Sequence, residues 1–324
     1  MTLVTVGICT FNSSKYILET LESIRSQSYE SLELIISDDV SKDNTLEKVY
    51  DWVKKIITEK RFKRVLVLEA DENRGPAANA NRILDKANGE WIKYLGADDT
   101  LLPDCLESNI QFIRSNPEIK VLFSKVNIYS DTFESRNYIK TTPIGDFSPE
   151  SILWPERTAD SQNKMLLVSD RIHFTPSIFI NREALLQVGG FDERFSMMED
   201  YPLWLNLTRN GYKLFFLDKV TVNYRRHSGA IYNTGMEFLI NPSYFSRERF
   251  RRIYTYPNLP RVIRLDQRFK WIVSQVFRLK LLNRKRKLNK YLYYLLSIYI
   301  NPFKYYIWCK KQFARNLENN EFYD

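Results

Sequence analysis

The sequence predicts an α/β fold, a mostly parallel sheet with helices on both faces, extended at its C-terminus by a helical, basic segment. Three observations carry that expectation. Short apolar runs alternate with amphipathic stretches over the first 130 residues, so the hydrophobic period switches repeatedly between strand and helix spacing. The 324 residues suffice for one such domain of about 200–250 residues with an appendage. Residues 261–315 hold 15 Lys and Arg against the single acid Asp266, whereas the remainder holds 33 basic and 38 acidic residues. The net charge of +9 is therefore a property of the tail.

In chain order, residues 3–10 form a short apolar run that reads as a buried strand. Ser14 is placed to cap a helix whose apolar positions Ile17, Leu21 and Ile24 recur at i, i+4 and i+7. Strands follow at 32–38, 64–70, 91–95 and 121–129, alternating with helices at 45–57, 76–87 and 103–114. Residues 131–175 are polar and weakly periodic, and read as a loop region over the sheet edge. A strand at 176–180 leads to a helix at 182–188, stopped by Gly189-Gly190. A helix at 201–210 and a strand pair near 213–224 close a first domain, 1–235. The second region, 236–324, reads as helical, basic and aromatic, with Phe269, Ile272, Val273 and Val276 expected on one helical face.

Composition narrows the setting. Cys9, Cys105 and Cys309 form no C-x-x-C pair, which argues against a disulfide framework or a zinc knuckle and suits a reducing compartment. The first ten residues lack the basic and apolar regions of a signal peptide. The longest apolar candidate, 291–303, is interrupted by Ser297, Asn301 and Pro302, so no membrane-spanning helix is expected. A basic, aromatic tail suits an anionic membrane interface through residues 261–315. Nucleic acid is not expected as a partner, because no recognition motif accompanies the charge.

The chemistry concentrates where strands end, which is where ligands bind in doubly wound sheets. The first strand ends in Thr10-Phe11-Asn12, with no glycine cradle for a dinucleotide. The second ends in Asp38-Asp39-Val40-Ser41, the third leads to Glu72-Asn73-Arg74-Gly75, and the fourth ends in Gly96-Ala97-Asp98-Asp99. An Asp-Asp pair after a strand can be a turn former or helix cap. Two such pairs on one rim repel unless a cation or hydrogen-bond donors sit among them. A sugar nucleotide satisfies both: Asp39 can accept from a uracil NH, and Asp98 with Asp99 can hold the Mg or Mn ion that neutralises a diphosphate.

These strings, together with residues 24–27, the run Ser41-Lys42-Asp43-Asn44-Thr45 and Gly189-Gly190-Phe191-Asp192-Glu193, resemble glycosyltransferase family 2, the inverting transferases of GT-A fold, of the bacterial surface-polysaccharide type. The resemblance covers residues 1–230. It implies a donor site of Thr10, Phe11, Asn12, Asp39, Asn73, Arg74 and Asp98, a metal site of Asp99 and Asp98, and a Mn2+ or Mg2+ cofactor. His227, which follows a Tyr-Arg, is implied as a ligand or phosphate contact. A Glu-Asp pair at a helix start is by itself a favourable dipole arrangement. The resemblance makes Asp200 the catalytic base, with Glu199 beside it on the acceptor side. Two positions depart from the family habit: Val40 stands where glycine is frequent, so its turn is expected at φ < 0, and Gly96 stands where a third acid is frequent. His173 receives no role.

The implied activity is transfer of a sugar from a UDP-sugar to a hydroxyl of a lipid-linked glycan, in O-antigen or capsule synthesis, at the cytoplasmic face of the cell membrane. Two rivals remain. A sugar nucleotidyltransferase needs a Gly-rich, Arg-containing loop after the first strand, and residues 9–16 have none. A non-catalytic carbohydrate- or membrane-binding protein would not need Asp39, Asp99 and Asp200 together.

Overall fold

The computed structural model describes residues 1–143, 151–195, 198–229 and 238–314. They fall into two compact units, Met1–His227 and Ser228–Asp324. The boundary expected at 235/236 lies within 230–237, outside the described residues.

The first unit is built on one sheet. Its opening half is parallel: β1 (Val4–Thr10), β2 (Leu32–Asp38), β3 (Arg64–Glu69) and β4 (Trp91–Gly96) lie in the order β3-β2-β1-β4. Helices α1 (Ile17–Arg25), α2 (Thr45–Ile56) and α3 (Pro76–Lys86) connect them. β1 and β2 are buried along nearly their whole length, which is why their sequences read as continuous apolar runs. The buried charge within the run, Glu33 in β2, is neutralised by Arg64 at 2.7 Å and accepts from Thr5 Oγ1 and the Asn88 amide. α3 starts at Pro76 after Gly75 at φ 86, a conformation that favours glycine.

The second half is mixed. After β5 (Thr100–Leu101) and α4 (Cys105–Ser115) come β6 (Val121–Ser130), β7 (Tyr138–Thr142), α5 (Ala159–Val168), β8 (Phe179–Asn181), α6 (Arg182–Gln187), α7 (Asp200–Arg209) and β9 (Leu214–Arg226). β8 lies antiparallel between β4 and β6, and the sheet continues β6-β9-β5, with β7 on β6. The expected α/β class, helices around one sheet followed by a helical C-terminal region, is the one observed.

Several local expectations fail for identifiable reasons. Ser14 does not cap α1; its amide donates to Asp43, and the helix begins at Ile17 without a side-chain cap. Residues 131–175 are not all loop. β7 is an exposed edge strand, and the α5 positions that bury are Gln162 and Leu166, so neither element shows a clear hydrophobic period. The Gln162 amide serves as core, bonding Ile152 O, Leu214 O and Leu214 N. The strand pair near 213–224 is the single strand β9, whose register against β6 shifts around Lys125. On its other side β9 pairs antiparallel with β5, Leu101 opposite Val222.

The second unit contains α8 (Pro242–Tyr254), α9 (Arg261–Val276), α10 (Lys287–Tyr294), a π-helical turn (Leu295–Tyr299) and α11 (Pro302–Ala314). Its core gathers Ile240, Val273 and Phe277, with Phe269, Leu282, Leu292 and Tyr293 packed around them. Val273 and Phe269 thus face inward, but Ile272 and Val276 are 64% and 50% exposed, so the expected single face is split. Among the described residues no helix is long and apolar enough to cross a membrane.

Candidate active site

The ends of β1, β2 and β4 carry the first cluster. Asp39 follows β2 and is buried. Its amide donates to Thr10 O, and its carboxylate accepts from the Arg74 amide at 3.3 Å, the Gly75 amide at 2.7 Å and the Arg82 guanidinium at 2.8 Å. Asn73 donates to Asp39 O. A carboxylate offers about four lone-pair sites, so close to one stays open for a ligand donor. Asn12 sits at φ 49, its amide bonded to Ser41 Oγ and its side-chain oxygen to the Lys42 amide, which ties the loops after β1 and β2 together. Phe11 is exposed, and the buried Thr10 Oγ1 has no hydrogen-bond partner among the described residues. The Arg74 side chain reaches Glu193 instead, and Asn81 bonds Phe191 and Glu193, so the Gly189–Glu193 segment is docked on α3.

Val40 adopts φ 67, against the expectation of φ < 0. A β-branched residue is strained there. The turn is imposed from both sides, because Asp38 accepts from the Ser41 amide and hydroxyl, and Asn73 fixes the preceding carbonyl.

The second cluster follows β4. A Cβ placed on Gly96 would lie 2.8 Å from Asp98 Oδ1 and 3.6 Å from Asp99 Oδ2, so the two carboxylates converge over this glycine. Gly96 leaves the space that a side chain would take from Asp98. His227 Nε2 lies 3.0 Å from Asp98 Oδ2, and its ring tilts against Tyr16. Asp99 is buried and accepts from the Arg225 amide at 2.8 Å. Burial, then the Asp98 charge, holds its carboxyl well above the usual carboxylate range, against the pull of Arg225 and Lys93. Two converging carboxylates with that repulsion, an imidazole alongside and oxygen donors predominating fit part of a hard divalent-cation site. Among the described residues no group of three or more His, Cys, Asp and Glu is arranged to hold a metal ion, so the Asp98 and Asp99 pair would need further oxygens from a bound phosphate.

The third cluster heads α7. Thr175 Oγ1 donates to Asp200 Oδ2 at 3.0 Å, and the Tyr201 amide donates to Oδ1. Glu199 precedes it; burial, then the Asp200 charge, raises its carboxyl to about 7. Asp170 is raised to about 6 by the same two causes in the same order. The Cys9 thiol near the end of β1 is pushed up to about 12 by burial and then by Glu199, with Asp39 adding to it. His173 is exposed.

Residues 5–189, more than half of the chain, match the profile described as Glycosyl transferase family 2. The chain belongs to that family. Its chemistry is glycosyl transfer. It is 28% identical over 243 residues to the UDP-Glc:alpha-D-GlcNAc-diphosphoundecaprenol beta-1,3-glucosyltransferase WfaP of Escherichia coli, covering 75% of this chain and 85% of that one. S. aureus TarS 1-349 in complex with UDP-GlcNAc shares the fold, with TM-score 0.56 at 19% identity over 91% of this chain and 79% of that one. Against another TarS structure, whose chain this protein spans for only 48%, the TM-score is 0.54 at 19% identity, over 91% of this chain. The mannosyltransferase PcManGT of Pyrobaculum calidifontis, in complex with GDP-Man and Mn2+, has TM-score 0.50 at 16% identity, over 98% of this chain and 76% of that one. These neighbours establish the GT-A fold for this member of family 2.

Four residues packed against these three clusters were not singled out from sequence. Arg82 neutralises Asp39 from α3. Arg225, buried in β9, gives its amide to Asp99 and its guanidinium to Asp98 O, pairs with Glu19, and lies between the Tyr16 and Phe133 rings at 4.4 and 4.0 Å. Thr175 and Asp170 accompany Asp200. A Tyr-Arg-Arg-His string beside the notable His227 was the one visible signal for Arg225; the other three carry none.

Proposed function

We propose that this family 2 member is an inverting, divalent-metal-dependent glycosyltransferase. It moves a sugar from a UDP-sugar to a hydroxyl of a lipid-linked glycan in surface-polysaccharide synthesis, at the inner face of the cell membrane. The observation that carries the reading is the convergence of Asp98 and Asp99 over Gly96 at the strand-end rim. Asp98, Asp99 and His227 would hold Mn2+ or Mg2+, which would offset the charge of the departing diphosphate. Asp39, with one lone-pair site left by its internal partners, would accept from the base, and the unpartnered Thr10 Oγ1 would face the nucleotide. Phe11, Asn12, Asn73 and Arg74 would complete the donor rim, the last three chiefly by shaping loops.

Asp200 would take the acceptor's proton as its oxygen attacks the anomeric carbon. The C–O bond to the diphosphate breaks as the new C–O bond forms, and the proton ends on the carboxylate. One displacement inverts the centre, so an α-linked donor gives a β-linkage. Glu199 would stand on the acceptor side. The WfaP relative supports the UDP donor, the undecaprenyl-diphosphate-linked acceptor and the β product, because its name states all three. The basic segment 261–315 would meet an anionic membrane surface.

The test is a panel of nucleotide sugars incubated with the full chain and lipid-linked acceptors, with and without EDTA. UDP-sugar turnover that stops in EDTA and returns with Mn2+ is the expected result. Full turnover in EDTA overturns the metal assignment, and no turnover of any donor overturns the catalytic reading.

A further inference from the structure

We propose that residues 278–291, the connection from α9 together with the first residues of α10, form a rigid knuckle that inserts leucines into an anionic bilayer. The proposal rests on the reading that the basic C-terminal segment meets a membrane, and names the contact. Leu279, Leu281 and Leu288 are 62%, 76% and 66% exposed. Seven Lys and Arg lie between 278 and 290, all exposed, and no acid occurs from 267 to 315. Leucine and cation alternate directly in Arg278-Leu279-Lys280-Leu281.

The display of these leucines is built. Asn283 is buried at the base of the knuckle, its side chain bonded to both Ile240 N and Ile240 O, and its carbonyl accepts from the Leu239 amide. Asn289, also buried, donates to Leu281 O and Arg284 O. The intervening Leu282 turns inward onto Ile240, Val273 and Phe277. One leucine of the four therefore anchors the connection, and two buried amides hold its backbone while the other three point away from the core.

An apolar tip ringed by cations complements one surface best, a layer with anionic headgroups above hydrocarbon. Nucleic acid would match the charge but leave the leucines in water. An acidic protein groove would have to supply both an apolar floor and a wholly acidic rim. The stripe Ile272 and Val276 leads along α9 toward the same tip, at helical spacing from Leu279.

The full chain is tested by co-sedimentation with phosphatidylcholine vesicles, with and without phosphatidylglycerol, at physiological salt. Wild type is expected to partition onto the phosphatidylglycerol vesicles. The triple variant Leu279→Ser, Leu281→Ser, Leu288→Ser should lose roughly tenfold or more in partition, with an unchanged melting temperature because all three side chains are exposed. Arg284→Gln with Lys285→Gln and Lys287→Gln should lose roughly fivefold per charge together with the lipid preference. In Leu281→Trp, the indole emission should shift to the blue with vesicles and be quenched by bromine on the acyl chains. If the serine variant binds as wild type does while the charge variant does not, the membrane reading stands and leucine insertion is overturned. If wild type binds neither vesicle, both fall. Binding to single-stranded RNA, or self-association through the knuckle, without vesicle binding also overturns the proposal.

Discussion

The acids around Asp39 and those around Asp200 stand in the same unit under contrasting conditions. Asp39 is buried with three donors already on its carboxylate, one of them a guanidinium. At the head of α7, Asp200 has the Thr175 hydroxyl and one backbone amide, and its neighbours Glu199 and Asp170 are acids that burial pushes toward neutral pH. The first cluster has most of its hydrogen-bonding capacity filled from within the chain, with about one lone-pair site left open. The second is charge-poor in donors and gains most from a bound hydroxyl or a protonation. Asp98 and Asp99 lie between these conditions, anchored through Arg225 yet mutually repelling.

The sharpest way to break this contrast is at Asp99. Asp99→Asn should lower the transfer rate on the order of 10³-fold or more, since it removes charge where the diphosphate's cation would sit. Steady-state transfer with saturating Mn2+ checks this, and circular dichroism confirms the fold. A loss under tenfold would place Asp99 among the purely structural acids.

Arg225→Lys comes next. It keeps a cation but loses the planar fork that reaches Asp98 O and Glu19 together. A roughly 10–100-fold loss of Mn2+ affinity is expected, measured by calorimetry with the nucleotide present. Unchanged affinity with lower melting temperature would make Arg225 a fold residue alone.

Thr175→Val should cost about tenfold in turnover with little change in donor KM, because it removes one donor to Asp200. Steady-state kinetics check this, and unchanged turnover would leave Thr175 without a part in holding Asp200.

The smallest effect concerns Glu199. Its carboxyl is held near 7 in the folded chain and sits at 4.5 in its absence, so the folded state binds the extra proton in that window. Folding stability should therefore fall as pH rises from about 4.5 to about 7. Glu199→Gln should flatten part of that slope, by a few degrees in melting temperature between pH 5 and pH 8. Identical slopes would show that Glu199 titrates normally.

The same contrast explains what could be read from the sequence. Acids that directly follow strands were legible, because a strand end fixes where the next two side chains go; Asp39, Asp98 and Asp99 are of that kind. Their partners were not. Arg82 comes from α3, 43 residues beyond Asp39, and Arg225 lies 126 residues beyond Asp99, joined to it through a backbone amide that no side-chain pattern records. The Val40 turn was misread because the general rule for β-branched residues was outweighed by Asp38, Ser41 and Asn73 acting together. α5 escaped notice because an amide, Gln162, occupies a core position that apolar periodicity would reserve for leucine.

The account's central claim is that nucleotide binding and proton removal are carried by separate acids. It is tested most directly by Asp200→Asn, with donor affinity measured by calorimetry beside the transfer rate on the same preparation. The substitution keeps shape and loses basicity. Transfer should fall about 10²–10⁴-fold while donor affinity stays within a few-fold of wild type. Normal transfer by Asp200→Asn, or a dead Glu199→Gln beside an active Asp200→Asn, would contradict the account and move the proton acceptor to Glu199.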